Sequence, residues 1–460
     1  VRVVHVIGSE GAAYRLHVGL RRLGVDSRML VAESRTDGSD PAVVTFRPPM
    51  DPLSRLRRRL RSRRIGRSMA RYRATRPEGY GYFFDDRNPH GAEMVGQLPP
   101  CDVVHLHTMS RLVSFDAFFP AVPRRIPVVR TLHDMSFFTG GCHHDWGCGK
   151  YTDRCGACPQ LGSHDESDLS RQIWERKRAA LRAVPRGRLH FAAPSRWLAE
   201  TARRSALLRD IPIAVIPLAL DTDVFSPRDR RFARQVLGIP QHAAAVLFIA
   251  DPVARPEKGA RLLVQALERL SHLEDLVFVS VGSGEPPCEV PVTHLRLGRI
   301  ANERMLSLVY SAVDVCAIPS VQDNFPYAAL ESLACGTPVV GFAVGGLPEI
   351  VRTGLTGVLV PPRDCAALAA AIGDLLGDPV RRAAMSASCR AVATAEYRLE
   401  LQAQRYLALY EEILGTERAR ASTGSRGDGR RHAATGADAP TPAALDPHTR
   451  QDARDEVRAG

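Results

Sequence analysis

Two series of short apolar runs, each run separated from the next by a helix-length segment, constrain this chain more than any other feature. The first series is Val3–Ile7, Arg28–Val31, Val103–His107, Pro127–Leu132 and Leu189–Ala193. The second is Val246–Ile249, Leu276–Val281, Asp314–Ile318, Pro338–Phe342 and Gly357–Val360. Runs this apolar are strands buried on both faces, as parallel sheets covered by crossover helices are. Between the series lie Ile216-Pro217-Leu218-Ala219-Leu220-Asp221 and Phe225-Ser226-Pro227, which read as an interdomain linker. The predicted class is α/β: two doubly wound domains, 1–216 and 217–395, facing a central cleft. Ligands of such domains sit at the carboxyl ends of the strands, hence in the cleft. A length of 460 residues suits two or three cores. Residues 396–415 predict a helix, with Leu399, Tyr406, Leu409, Tyr410 and Ile413 available to pack back toward the N-terminal domain. Residues 416–460 have almost no large apolar side chain and predict a disordered tail.

The formal charge is +12, and it is local. Arg55–Arg73 holds ten arginines and no acid, inside an insertion at about 51–75, and leaves +2 for the rest of the chain. Asp51-Pro52 is a good N-cap followed by proline at the first helical position. Leu53, Leu56 and Leu60 recur at i, i+3 and i+7, with Ile65 and Met69 continuing, so the segment reads as a basic amphipathic helix. It suits a solvated face or an anionic membrane surface. Nucleic acid comes third: only Tyr72 could stack a base, and no zinc-finger or RNP signature accompanies the run. No apolar run approaches the ~20 residues of a membrane span. Val1 to Ile7 is apolar but breaks at Gly8-Ser9-Glu10 without a basic n-region, so it reads as a first strand and not a signal peptide. These features predict a cytoplasmic protein, peripheral on the inner face of the cell membrane if the basic tract binds lipid.

The most informative stretch is Pro319 to Val351. A strand ending at Ile318 meets a Pro-Ser turn, a short loop, a helix from about Pro326, then Cys335-Gly336-Thr337-Pro338 and another buried strand. Asp323 on the loop and Glu331 in the helix are eight apart. Glu331 lies among Ala328, Ala329, Leu330, Leu333 and Ala334, and a carboxylate near a buried face needs hydrogen-bond donors. A ribose diol would supply two.

These residues resemble the E-x7-E signature of retaining glycosyltransferases of family four, with the GT-B fold of two Rossmann-like domains. The resemblance covers residues 1–415 and departs from the family in having Asp at position 323. It implies that Glu331 holds a nucleotide ribose and that Asp323 lies near the transferred sugar, with Asn324, Phe325 and Pro326 lining the donor loop. A second match is Phe248 to Gly259, where the family's loop carries an Arg and a Lys for the donor diphosphate. Lys258 matches, while Val253 stands where the family's Arg is common, and Arg255 is the available substitute. Such cations stabilise charge growing on the leaving group. Gly282-Ser283-Gly284 resembles the family's Gly-x-Gly turn, and Gly345-Gly346 begins a further match that ends at Val351. Gly298-Arg299 and Ser320 add support. Glycines at a helix start permit close backbone approach and suit an anion.

The N-terminal half resembles the colanic-acid-type branch of surface polysaccharide assembly. The carrying residues are Thr131 to Met135, Phe138 to His143, Gly147-Cys148, Cys155 to Gly162 and Pro194 to Leu198. His133, at a strand's carboxyl end, would contact the transferring sugar or the acceptor. The glycine loop after strand one is shorter than in that branch, and Gly11 is its best candidate for close backbone approach. Asp221-Thr222-Asp223 falls in the linker and is not read as a metal site, so the donor is expected to bind without a divalent ion.

Cys142, Cys148, Cys155 and Cys158 give C-x5-C-x6-C-x2-C, four of the ten cysteines. A structural zinc, with His143, His144 and His164 as substitute ligands, or free or paired thiols both suit this spacing. Cys101, Cys288, Cys316, Cys335, Cys365 and Cys389 read as small core or near-core residues.

The predicted function is transfer of a sugar from a nucleotide-diphosphate sugar to a hydroxyl of a glycan or lipid-linked acceptor, in surface polysaccharide or glycoconjugate biosynthesis. The catalytic set is Asp323, His133, Lys258 and Arg255; the donor site adds Glu331, Gly282, Gly284, Asn324, Phe325, Pro326 and Gly11. The alternatives are another enzyme on this fold, such as a sugar-nucleotide epimerase or a phosphorylase, glycosylation of a small natural product, and a non-enzymatic adaptor.

Overall fold

The computed structural model describes residues 1–9, 11–33, 40–107, 112, 114–185 and 187–427. The first sheet is built from β1 (Arg2–Ser9), β2 (Asp26–Glu33), β3 (Val43–Thr45), β4 (Val103–Leu106), β5 (Val128–Thr131), β6 (Leu189–Ala193) and β7 (Ile213–Val215). Its order is β3-β2-β1-β4-β5-β6-β7, all parallel. The second is built from β8 (Ala244–Ile249), β9 (Leu276–Val281), β10 (Thr293–Arg296), β11 (Val315–Ile318), β12 (Val339–Phe342) and β13 (Gly357–Val360). Its order is β10-β9-β8-β11-β12-β13, again parallel. The strand order reverses between β1 and β4 in one sheet and between β8 and β11 in the other. These are the switch points where loops diverge and leave a crevice.

All ten predicted strands form, within two residues at either end. Three were missed: β3, β7 and β10. Each is an edge strand of three or four residues, and β10 reads Thr-His-Leu-Arg. An edge strand has one paired side and needs no continuous apolar run, so hydrophobicity does not reveal it.

Alternation along the strands makes two cores in the first domain. Val4, Val6, Val104 and Leu106 point to one face, packed with Phe118, Phe137 and Trp174. Val3, Val103 and Val129 point to the other, against Leu16, Leu20, Tyr406 and Tyr410. The second sheet likewise buries Leu247, Val279 and Cys316 on one side and Val246, Phe278 and Val340 on the other.

Residues Val1–Leu414 form one unit and Gly415–Gly460 another. The last helix of the first unit begins at Leu399. A Cβ on Gly19 would lie 2.9 Å from the Leu399 carbonyl oxygen, so glycine lets this helix lie directly on Gly11–Arg22. That helix is bounded by Leu399 and Gly427. Residues 428–460 lie outside the described residues.

The helix predicted from the basic tract forms over Pro52–Ala70, and Asp51 caps it, its carboxylate accepting from the Ser54 N–H at 2.9 Å. Its inward side is polar: Arg58 reaches the Pro49 carbonyl and lies 3.7 Å from Glu93, and Arg61 reaches the Pro89 carbonyl. Leu53, Leu56 and Leu60 are therefore left outside, 55%, 53% and 55% exposed.

Candidate active site

The loops after β8 and β11 meet at the switch point of the second sheet. Gly259 has φ +75°, and a Cβ there would lie 1.9 Å from the Pro319 carbonyl oxygen. The two loops thus touch backbone to backbone, which sets Lys258 beside Asp323. The Lys258 ammonium donates to Asp323 Oδ2 at 2.6 Å, and Ser320 Oγ donates to the same oxygen at 3.2 Å. On the other side, Gly345 has φ +56°, and its Cβ would fall 1.7 Å from the Asp323 carbonyl oxygen. The close approach expected of the Gly345-Gly346 pair is therefore to the protein's own Asp323–Asn324 backbone. The helix after it, Leu347–Ile350, has four residues. Its Glu349 instead caps the helix Arg196–Arg204, accepting from the Arg196 and Trp197 N–H groups at 2.9 Å each.

Arg255 is not drawn to Asp323. Glu257 binds its guanidinium, at 2.8 Å from Nε, and the cation lies over the Tyr82 ring, 5.1 Å from the centroid. Val253 is buried, 3.1 Å from the position a Gly282 Cβ would take. Gly282 itself has φ +137° and passes close to the Ala250 carbonyl, whereas Gly284 faces open space.

Glu331 lies in the helix Tyr327–Ala334, nearly buried, and is already engaged. Arg15, from the first helix of the N-terminal domain, donates to it at 2.7 Å and to Glu303 at 2.8 Å. Tyr310 Oη donates to its other oxygen at 3.1 Å. The Arg15 guanidinium is stacked on Tyr327, 4.3 Å from the ring centroid, and faces Phe225 at 5.2 Å. Burial works against both charges. It pushes the Glu331 carboxyl up, with Arg15 and Tyr310 pulling it back. Arg15 is held charged by Glu331, Tyr327 and Glu303 in spite of its own burial. Sequence reading missed Arg15. The available signal was an arginine three residues after Ala12 and four before Gly19, on the stripe the helix buries.

His133 follows β5 and meets the second domain: Asn324 Nδ2 donates to its carbonyl at 2.7 Å. Burial and the nearby Arg130 charge lower the imidazole to about 4, so it is neutral at neutral pH. Behind it is a layer of histidines that the sequence analysis did not single out. His5 and His105 are register partners on β1 and β4, and His107, two residues on, shares their face. His105 and His107 were legible as a histidine at alternate positions where an apolar run meets its switch point. Burial drives all three well below the usual histidine range. Their ring nitrogens lie within 4.8 Å of one another, the one metal-like grouping among the described residues. Of these six ring nitrogens all but His5 Nε2 are already paired, however. His105 bonds Tyr410 Oη and Thr131 Oγ1, both at 2.7 Å, and His5 and His107 bond each other at 3.0 Å.

The other predicted positions divide. Asn324, Phe325 and Pro326 are buried beside Asp323, and Asn324 Oδ1 has no partner. Gly11 opens the helix Gly11–Arg22 with φ +40°, and a Cβ there would meet nothing within 4 Å, so no close approach explains it. Cys142, Cys148, Cys155 and Cys158 line one small cavity with Phe83 and Tyr151. No three of them reach ligand spacing, whereas tetrahedral zinc would hold its sulfurs about 3.8 Å apart. None of the four is in a disulfide, and burial raises the Cys155 thiol to about 12 and the Cys158 thiol to about 11. Of the scattered cysteines, Cys316, Cys335 and Cys389 are buried and Cys101, Cys288 and Cys365 half-buried.

Residues 243–378, which include Lys258, Asp323 and Glu331, match the family described as Glycosyl transferases group 1. Solved structures cover nearly the whole arrangement. WaaG, a glycosyltransferase involved in lipopolysaccharide biosynthesis, aligns with TM-score 0.60 at 15% identity over 88% of this chain and 98% of its own. Anabaena Alr3699/HepE in complex with UDP-glucose aligns with TM-score 0.59 at 17% identity over 90% and 99%. The fold is GT-B. Among curated relatives, D-inositol 3-phosphate glycosyltransferase of Geodermatophilus obscurus is 39% identical over 194 residues, 38% of this chain and 42% of the relative. Its counterpart in Xylanimonas cellulosilytica is 37% identical over 195 residues, 39% and 46%. The chain thus matches less than half the length of these relatives.

Proposed function

We propose that this chain is a retaining glycosyltransferase that moves a sugar from a nucleotide-diphosphate sugar to a hydroxyl of a glycan or lipid-linked acceptor. The observation that carries this reading is the gathering of Lys258, Asp323 and Glu331 at the switch point of the second sheet, opposite His133. In this reading Glu331 takes the ribose diol and Lys258 the diphosphate. Arg255 joins Lys258 by leaving Glu257. Asp323 lies beside the transferred sugar, and His133 faces that sugar or the acceptor. The Gly282–Gly284 turn, Asn324, Phe325 and Pro326 shape the donor pocket. The names of the curated relatives support sugar transfer, and the UDP-glucose bound to HepE supports a nucleotide-sugar donor. A thermal-shift panel of UDP-, GDP- and ADP-sugars tests it. One donor class at ~100 times its dissociation constant should add ~2.7 kcal/mol of stability. A flat response to every nucleotide sugar would count against the reading.

The acceptor in this reading is a surface-polysaccharide or glycoconjugate intermediate at a membrane, and the helix Pro52–Ala70 supports that part. No helix of the described residues is long and apolar enough to cross a membrane. The exposed Leu53, Leu56 and Leu60 are flanked by outward arginines, which suits an anionic surface at ~1 kcal/mol per basic residue. The full chain should co-sediment with vesicles containing phosphatidylglycerol and not with neutral ones. Changing Leu53, Leu56 and Leu60 to serine together with Arg55, Arg57 and Arg59 to glutamine should abolish this. Unchanged sedimentation would return the helix to a solvated face.

A further inference from the structure

We propose that His107 and His5 are positioning residues that fix the proton of His133 on Nδ1, so that the ring nitrogen outside the chain of histidines is an N–H donor rather than a base. The histidine contacts form one continuous chain. His133 Nε2 lies 3.1 Å from His107 Nδ1, and His107 Nε2 lies 3.0 Å from His5 Nδ1. The chain ends at His5 Nε2, which is buried and has no partner. Its neighbour His17 is turned elsewhere, to Ser27 Oγ at 2.8 Å and Asp40 at 3.3 Å.

Each ring is buried and neutral, so each carries one N–H and one lone pair. Each of the two contacts needs one hydrogen, and a neutral ring that accepts on one nitrogen donates on the other. The chain therefore has two arrangements only. If protons point inward, His133 donates to His107, His107 donates to His5, and His5 Nε2 is a buried N–H with no acceptor. If they point outward, His5 donates to His107 and His107 donates to His133 Nε2. His5 Nε2 is then a bare lone pair, and the His133 proton is on Nδ1. An orphaned buried N–H is the rarer defect, so the outward arrangement is favoured. His133 Nδ1 takes no partner from the described residues. The group it recognises is then an acceptor oxygen, a sugar hydroxyl or a phosphate oxygen.

Only the use of this N–H rests on the transferase reading; the tautomer itself does not. The test is read in ligand-free protein. The full chain is labelled with nitrogen-15 at histidine, and long-range proton–nitrogen spectra are recorded at neutral pH. Signals of His133 are assigned by their loss in His133→Gln. The expected pattern is a pyrrole-type Nδ1 and a pyridine-type Nε2. His107→Asn, whose amide N–H can take the place of His107 Nδ1–H, should keep that pattern. His107→Asp, whose carboxylate accepts from His133 Nε2 and does not donate to it, should shift His133 toward the proton on Nε2. A wild-type His133 protonated on Nε2 would overturn the proposal, and this result requires no variant of the chain to fold. An unchanged His133 in folded His107→Asp would overturn the positioning role. Absence of transferase activity would leave both outcomes legible.

Discussion

Lys258→Ala should lower turnover by about 10²–10³ while leaving the fold intact, as the loss of one preorganised charge-stabilising donor does. Lys258 is on the surface of the cleft, and its role is set by where it is held rather than by burial. Gly259 brings its loop against Pro319, and the ammonium meets Asp323 at 2.6 Å. When a diphosphate arrives, the same ammonium can turn to it without crossing the cleft. Removing it leaves Asp323 with Ser320 Oγ and no cation, and leaves growing phosphate charge without its nearest donor. The fall should appear in kcat more than in KM, because the interaction strengthens as the leaving group gains charge. Lys258→Arg keeps the charge but not the compact ammonium geometry, and should recover only part of the rate. Steady-state kinetics with a nucleotide sugar identified by the thermal-shift panel checks this. A kcat within twofold of wild type would remove Lys258 from the donor site.

Arg15→Met should destabilise the ligand-free protein by about 3 kcal/mol, a large effect for one residue. The side chains of Arg15 and Glu331 are 15% and 10% exposed, and their contact joins the two halves of the GT-B unit. Without Arg15, a nearly buried carboxylate keeps only Tyr310 as a partner, and an uncompensated buried charge is the costly outcome. Converting Glu331 to Gln as well should recover most of the loss, since both charges then vanish together. Urea denaturation of the two single variants and the double variant measures this. If Glu331 takes the ribose, a nucleotide diphosphate should stabilise Arg15→Met more than wild type, because no guanidinium then competes for the carboxylate. Equal stability of Arg15→Met and wild type would show the pair to be an incidental surface contact.

Most of the fold was legible because buried parallel strands are written as continuous apolar runs. The second-domain site was legible for a related reason. Asp323 and Glu331 stand out as acids in an apolar setting, and Lys258-Gly259 marks a loop. What escaped was contact between distant segments. Arg15 and Glu331 are 316 residues apart, and nothing local to either announces the other. His5 and His107 belong together only because β1 and β4 are neighbours at the switch point. Arg255 was expected beside the donor phosphates as the substitute for the arginine that the resembling family carries in this loop. Spacing cannot weigh Glu257, two residues on, which holds the guanidinium in the ligand-free protein. The cysteines were close in sequence and remain neighbours in space, but a shared cavity is a weaker condition than a shared ligand sphere.

The central claim is that one switch point, built from Lys258, Asp323 and Glu331, binds a nucleotide diphosphate. Calorimetric titration of UDP, GDP and ADP into the full chain, and into Lys258→Ala and Glu331→Gln, tests it most directly. The account predicts one-to-one binding of at least one of the three to wild type, weakened at least tenfold in both variants. Binding of equal strength in wild type and both variants would contradict it.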